Sequence, residues 1–148
     1  AENTHYSFPE GSELDRRFDS LSFRFDLPER SIVYTGDTGP SDNVENLAKD
    51  ADLLVSEMID LEQPIAAVKR ANPNMPDKAL MDMSRHLSEH HLTPREVGRL
   101  AQRANVKNLV VTHLATGAAG AIDTAPYAAE IGAIFNGDVT IADDLDRF

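Results

Sequence analysis

The sequence predicts an α/β fold built on a mixed sheet, and two neighbouring stretches carry that reading. Ser31-Ile32-Val33-Tyr34-Thr35 is β-branched and aromatic and breaks into Gly36-Asp37-Thr38-Gly39-Pro40, so a buried strand ends in a tight loop that presents one carboxylate. Ser41 before Asp42, Asn43, Val44, Leu47 and Ala48 reads as a capped helix, and Asp52-Leu53-Leu54-Val55-Ser56-Glu57 as the next strand, which makes a parallel strand, helix, strand unit. Just upstream, Leu21, Phe23 and Phe25 alternate with Ser22, Arg24 and Asp26, the period of a half-buried strand, and Pro28-Glu29-Arg30 supplies a turn. An antiparallel hairpin therefore feeds the parallel unit. Loops at the carboxyl ends of parallel strands line the ligand crevice, so Asp37 and Glu57 are expected on one sheet edge.

Composition sets the frame. The chain has 148 residues, 41% hydrophobic and 26% charged, which suits one domain with a real core. No apolar run approaches a membrane span and the start lacks a signal-peptide pattern, so the sequence reads as soluble, with cytoplasm and periplasm both open. There is no cysteine, so any metal would be held by His and carboxylate. A formal net charge of -11 opposes nonspecific attraction to phosphate backbones, and no basic nucleic-acid groove is visible.

Taken in order, the chain opens with Ala1 to Pro9, where His5 on its own context reads as a surface histidine, followed by a polar link from Pro9 to Asp19. Beyond Glu57, Met58 to Pro76 is poorly patterned, with three prolines and a helical fragment near Ile65 to Arg70, and is read as an inserted loop. A helix follows from Asp77 to about His90; its Met81 and Met83 read as packing, and its His86 and His90, four apart, as solvent-exposed. Thr93-Pro94-Arg95-Glu96 is a capping box with proline at the first helical position, leaving His91 in the loop before a capped helix whose Val97, Leu100, Ala101 and Ala104 face the core. Asn108 to Thr112 is another apolar strand, ended by His113-Leu114, Gly117 and Gly120. Asp123 caps a last helix through Tyr127, Ala128, Ile131 and Ile134, and Asp138 to Ala142 closes the sheet.

Asp37, Glu57 and His113 thus sit at strand ends, with His91 in a loop nearby. Each has a structural reading: a cap, an arginine partner, a satisfied loop histidine. Together on one edge, Asp and His suit zinc, manganese or iron, and a Glu and His pair suits proton transfer.

The ordered motifs Thr35-Gly36-Asp37-Thr38-Gly39-Pro40-Ser41, Ala51 to Glu57, His91-Leu92-Thr93 and Val110-Val111-Thr112-His113-Leu114 resemble the second half of a metallo-β-lactamase-fold hydrolase, in the ribonuclease Z branch. The resemblance implies the C-terminal half of an αββα sandwich, a mixed sheet with helices on one face. It implies that Asp37 bridges two metal ions, that His113 ligates one, and that Glu57 orients a catalytic His91. His5, in Glu2-Asn3-Thr4-His5-Tyr6, matches a metal-binding histidine that precedes the bridging aspartate, which reverses its first reading. The implied cofactor is zinc, two ions in the intact enzyme, with manganese or iron as alternatives.

The sequence departs from the family at the His-x-His-x-Asp-His motif, which is absent. Residues 1–148 are therefore expected to form a single partial domain, the C-terminal part of the fold with an insertion at about 58–90, inactive alone and completed by an N-terminal half or a homo-oligomer partner. Ser56 stands where the ribonuclease branch has a histidine, and Leu114-Ala115-Thr116-Gly117 where it is polar and basic. The expected activity is hydrolysis of an ester, phosphodiester or lactam-type bond, with a small-molecule substrate favoured and nucleic acid or membrane disfavoured. A noncatalytic binding or assembly module derived from the same fold is the alternative.

Overall fold

The computed structural model describes residues 1–6, 8–115 and 122–148. Strand β1 (Phe23–Asp26) pairs antiparallel with β2 (Ser31–Tyr34), which pairs parallel with β3 (Leu53–Ile59). Strand β3 pairs parallel with β4 (Asn108–Ala115), and β4 with β5 (Asp138–Ile141), so one mixed sheet runs in sequence order β1-β2-β3-β4-β5. Every parallel crossover steps in the same direction, and right-handed crossovers of that kind place their helices on the same face.

That face is the core. Helices α1 (Asp42–Ala48), α4 (Pro94–Arg103) and α5 (Ala125–Gly132) cover it, and Val44, Val97, Leu100 and Ile131 pack there against Val33, Leu54, Met58, Leu109 and Val111 of the strands. Burying side chains of this size stabilises by roughly 1.5–3 kcal/mol each. Ser41 Oγ accepts the Val44 N–H and Thr93 Oγ1 accepts the Glu96 N–H, so both expected caps start their helices. Glu96 itself turns to Arg99.

The opposite face is open along β1 and β2, whereas Leu53 and Val110 on the same face of β3 and β4 are buried. Phe23, Phe25 and Tyr34 alternate with the core positions of β1 and β2 and are 49%, 54% and 44% exposed. The half-buried strand expected at Leu21 to Asp26 is therefore largely exposed, its aromatic side left uncovered among the described residues.

In the stretch after Glu57 the helical fragment read near Ile65 to Arg70 is present and is longer than the sequence suggested. Strand β3 continues to Ile59, and Glu62–Ala71 is a helix, α2, packed against α3 (Asp77–His90). Asp60 Oδ1 accepts the Glu62 N–H at 2.9 Å, and Pro64 falls in the first turn, where a missing N–H costs nothing, so a proline that looked like a breaker is compatible with the helix. Met81 is 71% exposed, so it does not pack as read. Gly117 and Gly120, read as the end of β4, lie outside the described residues, as do Ser7 and Thr116. Among the described residues no helix is long and apolar enough to cross a membrane.

Candidate metal centre and proton-transfer pair

Asp37 is carried by a loop held from both sides. Thr35, fully buried, donates its N–H to the Val55 carbonyl at 3.0 Å, and its Oγ1 accepts the Glu57 N–H at 3.2 Å, so the exit from β2 is tied to β3. Gly36 then takes φ 61, where a side chain is strained. At Gly39 a Cβ would stand 1.8 Å from the carbonyl oxygen of Glu89, so only glycine lets this loop touch the end of α3. Between these two glycines Asp37 is left about one-third exposed at the sheet edge.

His5 reaches the same edge. Glu2 bridges to Leu21, and buried Asn3 donates through Nδ2 to Ser22 Oγ and the Thr35 carbonyl while its Oδ1 accepts the His5 N–H at 3.1 Å. His5 Nδ1 lies 3.3 Å from the carbonyl oxygen of His90, which can only accept. Nδ1 is therefore the donor of this contact, which leaves Nε2 as the nitrogen that can ligate a metal.

Glu57 and His91 meet as expected. The Glu57 side chain is 2% exposed; Oε1 accepts the N–H of Leu92 at 2.9 Å and of Thr38 at 3.3 Å, and Oε2 lies 3.3 Å from His91 Nδ1. The hydrogen bond that His91 donates to Glu57 raises the His91 pKa above its ordinary 6.5, burial opposes, and the charges of Glu57 and Asp37 add to the rise. The His91 ring stands edge-on to that of His5, centroids 5.0 Å apart.

His113 arrives through an irregularity. Ser56 pairs with Val111 but Met58 with Leu114, so Glu57 faces Thr112 and His113 together, a bulge in which His113 takes φ 49. Bulges re-aim side chains beside functional sites. Here His113 Nε2 comes within 3.3 Å of Asp37 Oδ1.

All five residues singled out from the sequence thus converge at the carboxyl edge of β2, β3 and β4. Among the described residues, the group able to hold one ion is His5, Asp37 and His91, whose ligand atoms lie within 4.8 Å of one another. Two imidazoles and a carboxylate at that spacing fit a zinc-type ion with small adjustments. His113 stands beside the group through Asp37, and His91 is shared between it and Glu57. His90, read as solvent-exposed, is 7% exposed, with Nδ1 2.9 Å from the Thr4 carbonyl, because α3 ends against the N-terminal segment. Sequence reasoning missed Asn3, Thr35 and Thr38, which orient the others; small polar residues flanking a strand carry no signal of that role.

A family model described as the beta-lactamase superfamily domain matches residues 3–114. Ribonuclease Z of Haloferax volcanii is 29% identical over 117 residues, which cover 79% of this chain and 31% of that protein. Ribonuclease Z of Mycobacterium bovis is 30% identical over 128 residues, covering 86% of this chain and 41% of its own. Among solved structures, the metallo-β-lactamase fold protein YhfI from Bacillus subtilis matches with a TM-score of 0.60 at 22% identity, over 86% of this chain and 43% of that one. Human tRNase Z, short form, matches at 0.50 and 21% identity over 88% of this chain and 37% of its own. The chain thus spans between about a third and two fifths of the length of these curated relatives. It belongs to the β-lactamase superfamily, as a ribonuclease Z-like protein of the metallo-β-lactamase fold.

Proposed function

We propose, with that membership as the premise, that the chain supplies one side of the active site of a metal-dependent hydrolase acting on a phosphodiester. The observation that supports this most is the convergence of His5, Asp37, His113 and the Glu57–His91 pair on one sheet edge. Two relatives carrying the name ribonuclease Z favour the phosphodiester over the other bonds this chemistry suits. A small-molecule ester or lactam-type substrate is the second reading, favoured by the net charge of -11.

In this reading His5 and Asp37 of the cluster would hold the metal together with His113, which stands outside that cluster but 3.3 Å from Asp37 and must close in on the ion, while His91 is left to proton transfer; zinc comes first, with manganese or iron accepted by the same donors. A bound metal ion supplies charge that polarises the scissile bond and makes a water acidic. His91 has Nδ1 engaged by Glu57, so its Nε2 is free to give a proton to the leaving oxygen. Glu57 keeps that ring in one orientation and favours its charged form.

Residues 1–148 serve as part of a longer domain, in which a second sheet lies on the open face of Phe23, Phe25 and Tyr34 and completes the ligand set. The chain taken alone then has too few ligands for two ions and is inactive. The test is hydrolysis of bis(p-nitrophenyl) phosphate by the zinc-loaded full-length protein. Turnover that disappears with Asp37→Ala supports the reading; turnover of a lactam or carboxylic ester alone selects the second one, and a zinc-loaded protein inert to all three overturns both.

A further inference from the structure

A run of aromatic rings starts at the ligand cluster and leads away from it, and neither metal binding nor proton transfer uses it. The His5 ring lies 4.8 Å from that of Tyr6, Tyr6 stacks on Phe8 at 5.7 Å with 24° between planes, and Phe8 meets Phe18 at 6.3 Å. Arg17 closes the far end, its guanidinium 5.7 Å from the Phe18 ring centroid. These rings pack on each other without forming a core: Tyr6 is 50% and Phe18 48% exposed.

The loop carrying Phe18 is braced by its own backbone. Ser12 donates its N–H to the Pro9 carbonyl, Gly11 its N–H to Asp15 Oδ2, and Phe18 its N–H to the Leu14 carbonyl, at 2.8 to 3.0 Å. At the other end His5 is fixed by Asn3. The rings are therefore held at both ends at stacking distance, which is the arrangement that takes a further planar ring with little ordering cost.

We propose that Tyr6, Phe8 and Phe18 form a stacking subsite for a planar aromatic ring that the substrate carries next to its scissile phosphate, an inference that rests on the hydrolase reading above. The ring faces are apolar and sequence-tolerant, and Arg17 adds one positive charge, shared with Glu13, at the outer end. Because His5 belongs both to the run and to the ligand cluster, a ring laid on Tyr6 would have its attached phosphate directed past His5 toward Asp37 and His91. A nucleobase and a simple aryl ester share this chemistry.

The test measures binding to the zinc-loaded full-length protein by calorimetry for two matched pairs: adenosine 5′-monophosphate against ribose 5-phosphate, and phenyl phosphate against methyl phosphate. The aromatic member of at least one pair is expected to bind about five- to a hundredfold more tightly. Tyr6→Leu should bring that ratio close to one and Tyr6→Phe should restore it, since the ring face and not the hydroxyl is used. A preference in the first pair alone identifies a nucleobase, and in the second alone an aryl ester. Equal binding within both pairs, or a ratio untouched by Tyr6→Leu, overturns the subsite. A ratio that holds in a protein inert to bis(p-nitrophenyl) phosphate, lactam and carboxylic ester alike overturns the hydrolase reading and leaves the subsite standing.

Discussion

Glu57 Oε2 lies 3.3 Å from Nδ1 of His91, 34 residues further along the chain, and the other oxygen of the same carboxylate takes the N–H of Leu92 at 2.9 Å. One buried acid thus grips both the ring and the backbone that carries it. The carboxylate can only accept, so Nδ1 holds the shared proton and Nε2 is the nitrogen not engaged by Glu57. His91→Ala should therefore lower phosphodiester turnover by about a hundredfold or more, the scale of losing a general acid, with zinc content unchanged. A parallel loss of zinc would move His91 into the ligand set.

Glu57→Gln tests the other partner. The carboxylate accepts from Leu92 and Thr38 backbone donors as well as from His91, and a glutamine can keep Oε1 but turns an N–H group toward an imidazole that is itself a donor. The cost should be about 1–3 kcal/mol in denaturant unfolding. With His91 raised above 6.5, the stability from the pair is fully present below that value and lost as pH rises through the raised folded value. An NMR titration of the zinc-free protein should find His91 above 6.5 and lower in Glu57→Gln. The same midpoint in both proteins would assign the shift elsewhere.

The parallel unit was legible because its apolar runs lead into residues with few other uses, a Gly-flanked Asp37, Glu57 and a histidine after Val110-Val111-Thr112, although β3 runs on past Glu57 to Ile59 and β4 past His113 to Ala115. His91 was legible through the Thr93 cap that follows it, a local device. What escaped depends on contacts distant in sequence. Of Glu62–Ala71 only the fragment near Ile65 to Arg70 was legible, because the helix has no buried residues to mark its face and its full extent rests on packing against α3. The bulge that turns His113 toward Asp37 is a register shift between two strands, and neither strand shows it alone. His90 looked solvent-exposed because the N-terminal segment that covers it lies 86 residues away.

Gly39 sets how closely the Asp37 loop approaches the end of α3. A methyl there would meet the Glu89 carbonyl oxygen at 1.8 Å and its carbon at 2.6 Å, both backbone atoms that cannot swing aside. Gly39→Ala should cost about 1–3 kcal/mol, as overpacking does, and weaken zinc binding measurably, because Asp37 and His91 lie on the two sides of that contact. Unfolding midpoints and zinc titration check it. Loss of stability with unaltered zinc affinity would show that the loop carries Asp37 independently of α3.

Asp60 joins three elements beside the site: its N–H donates to the Ala115 carbonyl at 3.0 Å, its Oδ1 caps α2, and its Oδ2 accepts the Tyr127 hydroxyl at 2.6 Å. Burial, then that hydrogen bond and the negative charges of Asp60 and Glu62, push the Tyr127 phenol up to about 12 from its ordinary 10.0. A phenol held neutral in the folded state but ionised in the unfolded one makes stability fall as pH rises, with the loss beginning near 10.0 and ending once pH passes about 12. Ultraviolet titration of the folded protein should show one of its three tyrosines ionising with a midpoint near 12. Tyr127→Phe should remove that step and flatten the alkaline loss of stability, at the expense of the tie between α5 and β3. If the late step survives Tyr127→Phe, another tyrosine carries it and the Asp60 junction does not hold Tyr127 as described.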